Sequence, residues 1–146
     1  MTDENSIYKD SIKLKLEGAK IILKASEAKA KEIGVPMSIA IVDDGCNLIA
    51  FEKMDGAKIT SIDIAINKAF TAAGSRKGTH EYAEVASPGK PAFGIHVSNQ
   101  GRFIIFGGGL PISIKGEVVG GVGCSSGTAE QDREVAQAGI AALSSR

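Results

Sequence analysis

Tryptophan is absent, and only two cysteines and two histidines occur in the 146 residues. With so few imidazoles and thiols, a zinc centre of the usual four-ligand kind is not expected. Cys46 and Cys124 form no CxxC pair and no metal-ligand spacing, so they read as reduced thiols of a cytoplasmic protein. No charge sign dominates: 17 Lys+Arg face 17 Asp+Glu. Without a basic stripe, nucleic acid is not the expected partner. A near-zero net charge also does little to hold copies apart, so self-association is expected. No apolar run follows a basic start, and none approaches the roughly 18 residues of a membrane span. Neither an export signal nor a membrane partner is expected. Only four prolines interrupt the chain.

Glycine is what the sequence has in quantity. Eight of its 18 glycines fall between residues 104 and 132, in IIFGGGLPISIKGEVVGGVGCSSGTAEQD. The stretch Gly121-Val-Gly123-Cys-Ser-Ser-Gly127 looks like a loosened dinucleotide fingerprint. That motif needs a second strand about 20 residues on, carrying an acid. Only 19 residues follow Gly127, and they read as helix and tail, so no such strand is expected. A phosphate loop is excluded too, because no GKS or GKT follows the glycines. Gly116 suits a tight hairpin. Gly107-Gly108-Gly109 suits a place where backbone approaches something closely, either its own core or a ligand or second subunit.

The remaining pattern gives an order of elements. Residues 1–13 read as a loose arm that orders on a neighbour, and residues 14–146 as a single domain. A helix is predicted over Leu16 to Ile33 from its apolar stripe, closed by Gly34 and Pro36. Strands near Met37 to Val42 and Leu48 to Met54 flank Asp43-Asp44-Gly45-Cys46-Asn47, with Gly45 expected to carry the turn's positive φ. Thr60 and Asp63 have capping-box spacing before the helical run from Ile62 to Ala73, with Gly74 as its stop. A short helix follows from Thr79 to Ala86. Strands are then predicted at Arg102 to Phe106, Pro111 to Ile114 and Glu117 to Cys124, with Lys115-Gly116 as a turn. Thr128 and Gln131 form a capping box for the last helix. Strands joined by short turns are antiparallel, so the fold class is α+β.

The blocks IGVPMSIAIVDDGCNLIAFEKMDGA, SIDIAINKAFTAA, GRFIIFGGGLPI and VVGGVGCSSGTAEQD together resemble the GlcG/HbpS family, whose domain also ends PduO-type proteins. The resemblance spans about Leu14 to Leu143. It implies a profilin-like domain with a five-stranded antiparallel sheet, a homo-oligomer, and haem as a ligand of some members. The sequence departs from that family at His96, which is not a feature carried over from it.

Two functions follow from the candidate residues. In the first, a small ligand-binding protein takes haem or a related cofactor. His96, or else His80, would be the iron ligand. Gly107, Gly108, Gly109 and Pro111, with Gly123 to Asp132 including Thr128, would form one wall. Lys68 and Arg76 would meet acidic groups of the ligand. In the second, an enzyme (a lyase, hydratase or isomerase) acts on a small organic acid at a subunit-interface pocket. Its proton would be moved by Lys68, Glu130 or Asp132. Lys68 is either a solvated lysine or an anion-binding one. Glu130, Asp132 and Thr128 either serve such a site or only cap their helix. Cys124, just before a helix start, is placed where a thiolate is favoured. A third reading leaves only assembly for the glycines.

Overall fold

The computed structural model describes residues 6–146. Four strands, β1 (Ser38–Asp43), β2 (Leu48–Lys53), β3 (Gly109–Ile114) and β4 (Glu117–Ser125), form one antiparallel sheet in the order β2-β1-β4-β3. Helices α1 (Leu16–Ile33) and α5 (Ala129–Ser144) cover one face, and α2 (Ser61–Ser75) covers the other. Between α2 and β3 lie α3 (Thr79–Val85), a 3-10 turn (Ile95–Val97) and the four-residue α4 (Ser98–Gly101). The α+β class holds, and the sheet has four strands rather than five.

The missing strand is Arg102 to Phe106. Its backbone is engaged by a helix side chain: the Ile104 N–H donates to Thr71 Oγ1 at 2.9 Å, and that hydroxyl, whose nearer acceptor is the Asn67 carbonyl at 2.8 Å, also lies 3.3 Å from the Arg102 carbonyl. The apolar residues there read as a strand, but they serve to cover helices, with Phe106 over Lys68 of α2 and Phe103 against Tyr82 of α3, which needs no ladder. Just before them, Asn99, Gln100 and Gly101 all have left-handed φ, at 52°, 59° and 76°.

α1 follows its apolar stripe, and Gly34 closes it at φ 73°. α2 starts differently from expectation. Thr60 makes no side-chain cap bond, and the helix runs past Gly74 to Ser75, with Arg76 left-handed at its end. The capping box of Thr128 and Gln131 is present in both directions. In the first hairpin the positive φ falls on Cys46, at 67°, rather than on Gly45. The Asp43 carboxylate fixes that turn by accepting from the Gly45 and Asn47 N–H groups. In the second hairpin Lys115 and Gly116 are both left-handed, as a two-residue turn matching strand twist requires.

The two faces of the sheet are built from different residues. Toward α1 and α5 stand Met37, Ile39, Ile41, Ile112, Val119 and Val122, packed on Ile22 and Val135. Toward α2 the sheet offers Gly109, Gly121 and Gly123, against Ala65, Ala69 and Ala73. A Cβ on Gly121 would stand 2.5 Å from the Ala69 carbonyl, and one on Gly109 would stand 2.5 Å from that of Lys68. These glycines therefore let α2 lie almost backbone on backbone. Residues 9–13 lie on the molecule's own surface: Lys9 pairs with Glu117 at 3.1 Å, Lys13 pairs with Asp44 at 2.6 Å, and Ile12 and Leu14 reach the core. The first five residues of the expected arm lie outside the described residues.

Candidate functional site

The close approach of α2 carries Lys68 inward. Its side chain is 1% exposed, and that of Asp132 is 3% exposed. Lys68 Nζ donates to Asp132 Oδ2 at 2.8 Å and to the Cys124 carbonyl at 2.9 Å. The Phe106 ring centroid lies 5.1 Å from Nζ. Asp132 Oδ1 accepts from the Gly127 N–H at 2.9 Å, so each carboxylate oxygen has a donor. Lys68 is thus no solvated lysine. Sequence periodicity put it on the helix side opposite the apolar stripe, and that side is covered by β4, α5 and the 102–106 segment.

Gly108 belongs to this arrangement. Its φ is 129°, and a Cβ there would meet Lys68 Nζ at 2.5 Å, the Cys124 carbonyl at 2.7 Å and Asp132 Cβ at 2.8 Å. The glycine triplet therefore closes around the ion pair. Burying two charges is costly unless they pair and hydrogen-bond, and here both conditions are met.

Above the pair opens a cleft of about 230 Å³, lined by Lys58 and Thr60 just ahead of α2, by Ser61 and Ile64 in its first turn, by Phe106, and by Ser125, Ser126, Gly127 and Ala129. Ser126 sits in that turn at φ 116°, a strained value for a residue with a side chain. Its hydroxyl accepts from the Lys58 N–H at 3.0 Å, tying the two helix starts together.

The expected site residues divide. Lys68 and Asp132 meet, with Gly108 packed behind them. Glu130 is exposed and does not line the cleft, because it points from the outer side of the first turn of α5. Thr128 caps α5 and does not line it either. Pro111 sits on the edge strand β3 opposite Gly121. Arg76 stands at the opposite end of α2 from Thr60 and lines a separate hollow with Lys9, Asp44 and Glu117. It does not join Lys68. The distance follows from helix geometry: eight residues along α2 are about 12 Å. Cys124 faces the core, and burial pushes its thiol well up, which removes the thiolate expectation. Lys58, Ile64 and Phe106 were missed. The available signal was that Lys58 and Thr60 precede a helix start, as Ser125 and Ser126 do.

His96 lies in the 3-10 turn, half-buried, with its ring 5.9 Å from that of Phe93. Its Nδ1 is buried without a hydrogen-bond partner, and so is that of His80. His80 packs against Gly78 and Gly107, on the side of the molecule nearer the cleft.

The family described as haem-degrading protein HbpS-like matches residues 14–141. The chain belongs to the HbpS-like family. Among relatives, it is 47% identical over 125 residues to a 15.0 kDa protein of the dhaT-dhaS intergenic region of Citrobacter freundii, covering 86% of this chain and 88% of that one. The crystal structure of Klebsiella pneumoniae protein ORFY superposes with a TM-score of 0.93 at 37% identity, covering 100% and 99% of the two chains. The structure of a PduOC–haem complex superposes with a TM-score of 0.86 at 33% identity, covering 90% and 95%. Among the described residues no helix is long and apolar enough to cross a membrane, and no cluster of three or more metal-ligating side chains occurs.

Proposed function

We propose that this chain is a small oligomeric haem-binding protein of the HbpS-like family. The observation that carries the reading is the imidazole of His96, with its buried unpartnered Nδ1, beside the exposed apolar side chains of Phe93 and Val97. The haem held by the related PduOC supports it. The fit to haem is one-sided. His96 would offer a ring nitrogen to the iron, and Phe93 and Val97, 58% and 72% exposed, would offer an apolar wall. The second wall lies outside a single chain, and a second subunit would supply it. Haem would supply iron redox chemistry when bound; His96 would ligate it, and Phe93 and Val97 would shield one side of the ring. Two free thiols support a cytoplasmic setting.

A hemin titration followed by the Soret band tests this reading. Saturable one-to-one binding, lost in His96→Ala and kept in His80→Ala, is the expected outcome. A spectrum unchanged beyond free hemin would sink it.

One observation favours a second reading, an enzyme acting on a small organic acid. The Lys68–Asp132 pair lines a cleft too small for haem and of a size for such an acid. There Lys68 and Asp132 would share the proton transfer, and Lys68→Met would abolish turnover.

A further inference from the structure

We infer that the second wall of the haem site is the outer groove between α1 and α5 of a second copy of this chain, and that the lysines of that groove meet the haem carboxylates. The inference rests on the haem reading for the group between the two surfaces. The contact between copies stands on surface chemistry of its own.

What the His96 side lacks defines what must cover it. Phe93 and Val97 stand exposed beside His96 and can meet one face of a flat group. Haem has a second apolar face and two propionates, which are ionised at neutral pH. From 79 to 101 the charged side chains are Glu81, Glu84 and Lys90, all exposed. Two acids against one lysine repel carboxylates rather than hold them. The covering surface must therefore be concave, apolar and positive.

Five hollows in the described surface differ in those properties. The cleft above Lys68 and the pocket at Phe70 are small, at about 230 and 140 Å³. At the hollow beside Arg76, the acids Asp44 and Glu117 balance Lys9 and Arg76, and each is already paired with a lysine. At the hollow beside Glu52, three acids face Lys31 and Lys53, so the sign is wrong. The groove between α1 and α5 has the right one. Lys20, Lys24 and Arg146 line it against Glu17 alone, and its volume is about 480 Å³. None of those three cations has an ion pair among the described residues. Ile21, Ala25 and Ala28 of α1, with Ala142 of α5, give the groove an apolar floor.

One chain does not bring both surfaces to one ring. The connection that carries His96 is tied to α2, where Arg102 Nε donates to Asn67 Oδ1 at 3.1 Å and the Ile104 N–H donates to Thr71 Oγ1. The groove faces solvent on the far side of the sheet, beyond the layer of α1 and α5. Two copies supply what one cannot. Their contact joins unlike patches, each the complement of the other. The acids of α3 meet the lysines of the groove before any ligand enters, which steers the copies together.

Two variants of the full chain test this. Lys20→Glu with Lys24→Glu reverses the groove at exposed positions, and Phe93→Ala with His96→Ala removes the opposing face. Hemin is titrated into each and followed by the Soret band. The groove variant should bind more than tenfold more weakly than the parent, and the face variant should not saturate. An equimolar mixture should recover about half the parent's capacity, because each pair of chains keeps one intact site. Lys24→Ala alone should weaken binding several-fold, and serves where the double reversal disturbs α1. Parental affinity in the groove variants would overturn the inference while leaving the His96 reading in place. A parent that binds no hemin ends the haem reading, and sedimentation without hemin then judges the contact. A mass in the mixture above that of either variant alone supports it; no gain in mass overturns it.

Discussion

The two faces of the sheet solve the same packing problem in opposite ways. Toward α1 and α5, branched side chains fill the space between layers. Toward α2, alanines sit on glycines and the backbones themselves make the contact. The first face is filled by volume, so it loses stability when volume is removed. The second is fixed by a short interlayer distance, so it loses stability when volume is added. The difference also explains the location of the charged pair. A helix held that close to the strands brings the Lys68 side chain within reach of Asp132 and the Cys124 carbonyl.

The largest expected effect tests the charged pair. Lys68→Met leaves Asp132 buried and unpaired, at a cost of about 3–5 kcal/mol. Urea denaturation measures it, and Lys68→Met combined with Asp132→Asn should recover part of the loss. If the single variant proves as stable as the parent, the pair is not held in the low-dielectric setting described. Next comes Gly123→Ala, whose methyl would meet the Ala65 carbonyl and stand 2.6 Å from the Ala69 nitrogen. A loss of about 3 kcal/mol is expected. On the opposite face, Ile41→Val should cost only about 1 kcal/mol. Equal costs for these two substitutions would erase the contrast between the faces.

The smallest effect lies at the far end of the α1 face. Burial, with the neighbouring Glu27, raises the Glu52 carboxyl to about 7. Its Oε1 is buried without a partner, while Lys31 pairs with Glu27 at 2.8 Å. A raised carboxyl favours the protonated folded state. Its contribution is therefore complete below the unfolded value near 4.5 and is lost as pH rises toward 7. Glu27, held low by Lys31 and by Glu52, acts in the opposite sense, losing its contribution as pH falls. Glu52→Gln should stabilise the protein at pH 8 by about 0.5 kcal/mol, with solvent screening considered. The gain should vanish near pH 5. Denaturation midpoints at the two pH values decide it.

Local features were legible because their causes are local. The apolar stripe of α1, the Gly34 stop, the Thr128–Gln131 box and the Lys115-Gly116 turn each depend on a few neighbouring residues. The 102–106 segment misled because an apolar run that covers a helix and one that pairs as a strand read alike. At the site, Lys68 and Asp132 were both visible as candidates, yet 64 residues separate them. Their pairing depends on how near α2 comes to β4, and that distance is written in Gly108, Gly109, Gly121 and Gly123; the sequence marks the 107–109 triplet as a close backbone approach but does not say that α2 is what approaches. Arg76 was joined to Lys68 by proximity along the chain, which a helix converts into distance.

The strand order has a consequence for how the chain is made. At the centre of the sheet β1 pairs with β4, so Ser38 meets Ser125 and Asp43 meets Gly120. As the chain is synthesised, β1 and β2 can form their hairpin early, but the inner edge of β1 waits until some 80 further residues have emerged. The same holds for α1, whose packing partner α5 is the last element of all. A nascent chain stopped before residue 117 is therefore expected to present an open sheet edge and two uncovered apolar surfaces. A copy lacking only α5 and β4 should accumulate as a client of chaperones rather than as a smaller version of the domain.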